Sequence, residues 1–176
     1  KFSSFEEALI FVYGISCGLE IIQNNKIVQN HILDPNNIMM FKDVYPLIIG
    51  LESNKPNHKY LSPELIHNPD KKSLKSNVFI LGMLMYIMSE SFFCDINQFL
   101  FDETDFLSIF VGKSAYKSEF GDVWTKLVVK CLNKNPSKRP TFSEICNIIE
   151  LNYNKPEFGM LQNYIELLKQ YRSHDH

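Results

Sequence analysis

Residues 131–142 read Cys131-Leu132-Asn133-Lys134-Asn135-Pro136-Ser137-Lys138-Arg139-Pro140-Thr141-Phe142. Asn133 to Pro140 is polar and holds two prolines, so it is a connector, with helices expected on either side within 119–132 and 141–151. Upstream, Val78 to Met88 is an apolar run broken only by Gly82. It is too short for a bilayer, which takes about 20 residues, and reads as a fully buried helix over roughly 75–89. A further helix is expected within 96–111. Near the start, Ser4-Phe5-Glu6-Glu7 fits a capping box, in which Ser4 accepts from the Glu7 N–H and the Glu7 carboxylate reaches back. Leu9, Val12, Ile15, Leu19 and Ile22 then recur at helical steps up to Asn24-Asn25. Two short apolar runs, Asn37 to Phe41 and Val44 to Ile49, flank Lys42-Asp43 and read as a strand pair around a turn. Residues 50–73, polar and with Pro56, Pro63 and Pro69, read as mostly irregular. A last helix is expected from Phe158 to Arg172, with Leu161, Tyr164, Ile165, Leu168 and Tyr171 on one face. The domain is therefore mainly α.

The chain has 176 residues, 45% of them apolar, enough for a real core and too many for wholesale disorder. Its formal net charge of −2 argues against a dedicated nucleic-acid binder, which carries a basic excess. Cys17, Cys94, Cys131 and Cys146 form no C-x-x-C pair and have no histidine cluster beside them, which argues against a zinc site. Their spacing does not suggest a disulfide framework, so ordinary buried thiols in a reducing, cytoplasmic setting are expected. No signal peptide or membrane span is visible. The first residue is Lys1, and the chain is expected to be a piece of a longer protein.

Four local motifs, in order, resemble the C-terminal lobe of a eukaryotic-type protein kinase. Cys131 to Phe142 is similar to the C-L-x-x-x-P-x-x-R-P-T stretch before the last helix of that lobe. Leu61-Ser62-Pro63-Glu64 is similar to the A-P-E that closes the activation segment. Ser76-Asn77-Val78-Phe79-Ile80-Leu81-Gly82 resembles the D-V-x-S-x-G start of the buried central helix, and Leu33-Asp34-Pro35-Asn36-Asn37-Ile38 resembles L-K-P-x-N-I of the catalytic loop. The resemblance covers residues 5–151. It implies a kinase-like C-lobe over 1–152: a helical bundle around a buried central helix, with a small β-hairpin in the catalytic-loop region. Residues 153–176 would form a C-terminal tail. No glycine-rich loop, V-A-I-K strand or other part of an N-terminal lobe is present in the chain.

The departures from the family bear on chemistry. Aligned on Pro35 and Asn37, Asn30-His31-Ile32 falls on the H-R-D triplet. Ile32 stands at the catalytic Asp, and an aliphatic side chain cannot orient or deprotonate a substrate hydroxyl. His31 replaces the Arg that grips an activation-loop phosphate. Asp34 stands at the catalytic-loop Lys and would repel a γ-phosphate. Ile48-Ile49-Gly50 falls on D-F-G, and Ile48 has no oxygen for Mg²⁺. Asn37 and Gly50 are residual nucleotide-site positions. Asn77 replaces the Asp that ties down the catalytic loop, so that tie is expected to be lost. The segment 51–61 is short for an activation segment.

What persists is architectural. Glu64 and Arg139 match the family's buried ion pair. The resemblance thus implies a catalytically inactive, pseudokinase-like module with no catalytic residue, cofactor or metal. Its partner would be a protein or a neighbouring domain of the same parent chain, with no nucleic acid and no membrane. Phe99, Phe101, Phe106 and Phe110, together with Leu161, Tyr164 and Leu168, are the candidate partner surface; the helix 158–172 is expected either to fold back on the lobe or to continue as a coil into a missing domain. The alternative is a divergent protein kinase with weak ATP-dependent phosphoryl transfer, and a third reading is a structural remnant. Trp124, Met83, Met85 and Met88 are expected in the core.

Overall fold

The computed structural model describes residues 2–24, 32–50, 60–93 and 119–172; the side chains of 90–93 and 119–120 are excepted. Helix α1 spans Phe5–Asn24. A 3₁₀ turn at Pro35–Asn37 leads into strands β1, Ile38–Phe41, and β2, Tyr45–Ile48. Among the described residues there follow the helices α2 Pro63–His67, α3 Leu74–Phe93, α4 Glu119–Cys131, α5 Phe142–Tyr153 and α6 Gly159–Arg172. The described residues are mainly helical, with one small antiparallel sheet among them. The helix expected within 96–111 lies outside the described residues.

Two helices, not one, form the centre. The expected buried helix is α3, which extends past its apolar run and buries Val78, Ile80, Leu81, Met85 and Met88. Helix α1 is enclosed at least as fully, with Ala8 to Tyr13, Ile15 to Cys17 and Leu19 all buried. It packs against α5, α6, β2 and α3. An amphipathic pattern shows that one face is apolar; here several neighbours cover α1, including α6, which folds back onto it.

Polar side chains set the helix starts. The Ser4 hydroxyl accepts from Glu7 N at 3.2 Å, but the Glu7 carboxylate turns to Ser3, not Ser4, taking its N–H at 2.7 Å and its hydroxyl. These bonds, the Ser3 hydroxyl first, hold the Glu7 carboxyl below the usual range. At α5 a full capping box forms: Glu144 N donates to Thr141 Oγ1 at 3.1 Å, and Thr141 N to Glu144 Oε2 at 2.6 Å.

In the hairpin, Ile38 pairs with Ile48, Met39 with Leu47, Met40 with Pro46 and Phe41 with Tyr45. The chain reverses at Lys42 and Asp43, whose φ values of 50° and 59° are left-handed, and Val44 N donates to Phe41 O at 3.2 Å. This is the geometry of a primed turn, which matches the twist of the strands; Asp tolerates it better than Lys. Strand β2 lies on α1 at Gly14 and Gly18. A β-carbon at Gly14 would stand 2.7 Å from Pro46 Cγ and 2.6 Å from Tyr164 Oη, so glycine is what allows α1, β2 and α6 to converge. At the other end of the core, a β-carbon at Gly82 would lie 2.7 Å from Cys131 Cβ, which sets the close approach of α3 and α4. Trp124 is fully buried there, and its indole N–H donates to Ser89 Oγ at 2.6 Å.

Candidate functional site

The segment 32–50 gathers most of the positions singled out in the sequence. Ile32 and Leu33 enter the core, each 3% exposed. Leu33 N donates to Asn77 Oδ1 on α3 at 2.7 Å, and Asn77 is itself buried. The expected loss of this tie is therefore corrected. An amide oxygen accepts a backbone N–H as well as a carboxylate oxygen does, so Asn77 makes this bond without a charge.

Asp34 is buried and caps the 3₁₀ turn: its Oδ1 accepts from Asn36 N at 2.9 Å, while Asn37 N donates to Asp34 O at 2.9 Å. Its placement is that of a turn-forming residue, the usual use of Asp before proline-containing turns. Asn37 O accepts from Ile49 N at 2.9 Å. The position of a Gly50 β-carbon would be 3.6 Å from Asn37 Nδ2. Asn37, Ile48 and Gly50 are thus brought together where β1 and β2 open out. Ile48 is half-buried, and its Cδ1 would touch a β-carbon at Gly18 at 3.5 Å, so it leans on α1. His31 lies outside the described residues.

An open cleft of about 240 Å³ borders this hairpin, lined by Phe2, Phe11, Pro35, Ile38, Met40, Asp43 and Leu84. Among the described residues its lining is apolar with one carboxylate and no cation, a poor match to a triphosphate. The opposite face of the hairpin is also apolar. Met39, Phe41, Leu47 and Ile49 are 43–60% exposed, and the register makes Met39 and Leu47 direct neighbours.

The Glu64–Arg139 pair lies away from this loop, at the junction of α2, α3 and the 3₁₀ turn Pro136–Lys138. Pro63 opens α2 and places Glu64 in its first turn. Arg139 is bidentate to it, Nη1 to Oε1 at 2.6 Å and Nη2 to Oε2 at 2.8 Å. The remaining donors reach carbonyls: Nε to Asn133 at 2.8 Å, Nη1 to Lys75 at 2.8 Å and Nη2 to Lys134 at 3.4 Å. Its guanidinium also lies 4.9 Å from the Phe79 ring centroid. Ser76 Oγ donates to Glu64 Oε1 at 2.9 Å. Burial alone would raise the Glu64 carboxyl; the hydrogen bonds from Arg139 and Ser76 outweigh it and hold it at about 2. Lys75 Nζ closes the junction by donating to Arg139 O at 2.6 Å.

The candidate partner surface is corrected in its described part. Leu161 and Tyr164 are buried against the core, and Leu168 packs against it. The apolar stripe of α6 is covered by α1, and the exposed apolar residues of α6 are Met160, Leu167 and Tyr171. Phe99, Phe101, Phe106 and Phe110 lie outside the described residues.

A second polar cluster was not anticipated. Arg172, at the end of α6, donates from Nε to Glu20 Oε2 at 2.9 Å and from Nη1 to Glu150 Oε1 at 2.7 Å. Tyr13 Oη donates to the same Glu150 oxygen at 2.8 Å. Burial, with the Glu150 carboxylate beside it, pushes the Tyr13 phenol up. The partners stand up to 159 positions apart, so no local spacing announces them.

No family model matches this chain, and no curated protein matches it. Among the described residues, no helix is long and apolar enough to cross a membrane.

Proposed function

We propose that this chain is a pseudokinase-like C-lobe that works as a protein-interaction or regulatory module rather than as a phosphotransferase. One observation carries the reading. Ile32, at the position the resemblance assigns to the catalytic Asp, is buried in the core, while Asn77 and the Glu64–Arg139 pair keep their scaffold bonds. Phosphoryl transfer requires a group that positions the nucleophile and oxygens that hold Mg²⁺. Ile32 and Ile48 provide neither, and Asp34 is engaged in capping a turn. The exposed apolar face of Met39, Phe41, Leu47 and Ile49 supports a role in binding protein surfaces, since contiguous apolar patches mark interaction sites.

A thermal-shift titration with ATP and ADP, with and without Mg²⁺, tests the reading. A ligand at a hundredfold excess over its Kd stabilises by about 2.7 kcal/mol. No Mg²⁺-dependent shift is expected. A saturable Mg²⁺-dependent shift would return the divergent kinase to first place.

A further inference from the structure

Cys17 on α1 and Cys146 on α5 face each other, with their sulfurs 3.3 Å apart. Both are free thiols, and both are buried. They lie outside the 32–50 loop and outside the Glu64–Arg139 junction. The groups that act on them electrostatically are Tyr13 and Glu20 from α1, and Tyr164 and Arg172 from α6. A disulfide brings two sulfurs to about 2.05 Å. The observed 3.3 Å leaves the two sulfurs about 1.3 Å from that length. Cys131 is placed differently, in the close contact beneath Gly82 on α3.

The geometry points to Cys17 and Cys146 as a reversible oxidation site, a dithiol that a peroxide converts to a disulfide joining α1 to α5. The hydrogen bond with Cys17 and burial push the Cys146 thiol up, so Cys17 is the sulfur that, as thiolate, attacks the peroxide O–O bond and becomes a sulfenic acid, releasing hydroxide. The second thiol attacks that sulfenic sulfur, the S–S bond forms and water leaves. In sum, two thiols and one hydrogen peroxide give one disulfide and two waters. A small-molecule dithiol reverses it by exchange. The bond would close a chain segment between residues 129 apart, a long loop of the kind whose closure most restricts the unfolded chain.

The test uses the full chain. Protein is reduced, freed of reductant, exposed to hydrogen peroxide and alkylated in denaturant. It is then measured intact and mapped as peptides. Two fewer alkyl groups than in the reduced control, a linked Cys17–Cys146 peptide about 2 Da lighter than its two unalkylated halves, and return to the dithiol with dithiothreitol are expected. The oxidised protein should melt at a higher temperature than the reduced protein. Full alkylation of both residues after peroxide would overturn the assignment. Links to Cys94 or Cys131, or sulfinic acid at either residue without a link, would also overturn it. Cys17→Ala and Cys146→Ala should each leave the remaining cysteine fully alkylated after peroxide; if either fails to fold, the wild-type peptide map still decides.

Discussion

Two arginines hold this molecule together in contrasting ways. Arg139 has a side chain with no exposure, a carboxylate in bidentate contact and three backbone carbonyls around it. It ties irregular chain, the start of α2 and the connector before α5, to the first turn of α3. Arg172 is 17% exposed and joins three regular helices, α6 to α1 and α5, through Glu20 and Glu150. The difference teaches what each is for. Loops carry few backbone bonds of their own, so a saturated guanidinium replaces the missing ladder. Helices already satisfy their backbones, and Arg172 only selects which way α6 lies.

The contrast breaks most visibly at Arg139. Arg139→Ala leaves Glu64 half-buried without its partner and orphans several carbonyls; a loss of about 3–5 kcal/mol in denaturant unfolding is expected. An unchanged melting temperature would refute that role. Glu64→Gln should cost about 2–3 kcal/mol at neutral pH, the worth of charge-assisted hydrogen bonds. Its pH dependence follows from the carboxyl being lowered from 4.5 to about 2 on folding. That stabilisation is complete above about pH 4.5 and is lost as pH falls toward 2. The gap between wild type and Glu64→Gln, read from urea midpoints, should therefore shrink through this window; a constant gap would contradict it.

Arg172→Ala should cost less, about 2 kcal/mol, because water partly replaces its bonds. Hydrogen exchange should show the loss concentrated in residues 159–172, with α3 and α4 unaffected. Lys169, 42% exposed and 3.7 Å from Glu150, belongs to the same cluster only as a satellite. Lys169→Ala is expected to stay within about 0.5 kcal/mol of wild type. A larger effect would mean that charge density, not the Arg172 fork, holds α6.

The same contrast explains what could be read in advance. The hairpin was legible because apolar runs at 37–41 and 44–49 bracket two turn residues. The ends of α3 were less so: Ser89, Glu90 and Ser91 interrupt the apolar run, yet the helix continues to Phe93. The Glu64–Arg139 junction joins residues 75 positions apart and was visible only because two short motifs resemble those of the kinase family. The Arg172 cluster was not, because Tyr13, Glu20 and Glu150 come from distant helices. The stripe of Leu161 and Tyr164 showed that α6 has an apolar face, but periodicity does not say what covers it. Gly14 was a missed clue, as a small residue amid an apolar helix marks close approach. The exposed face of Met39, Phe41, Leu47 and Ile49 follows from two-residue alternation once the inward face is known.

The central claim, a scaffold kept where chemistry has been replaced, is tested most directly by phosphoryl transfer itself. The full chain would be incubated with γ-labelled ATP, Mg²⁺ or Mn²⁺ and a generic protein acceptor, and label in protein measured against a protein-free blank. The account predicts no transfer above the blank with either metal. Transfer that rises with protein concentration and disappears in Asn37→Ala would contradict it.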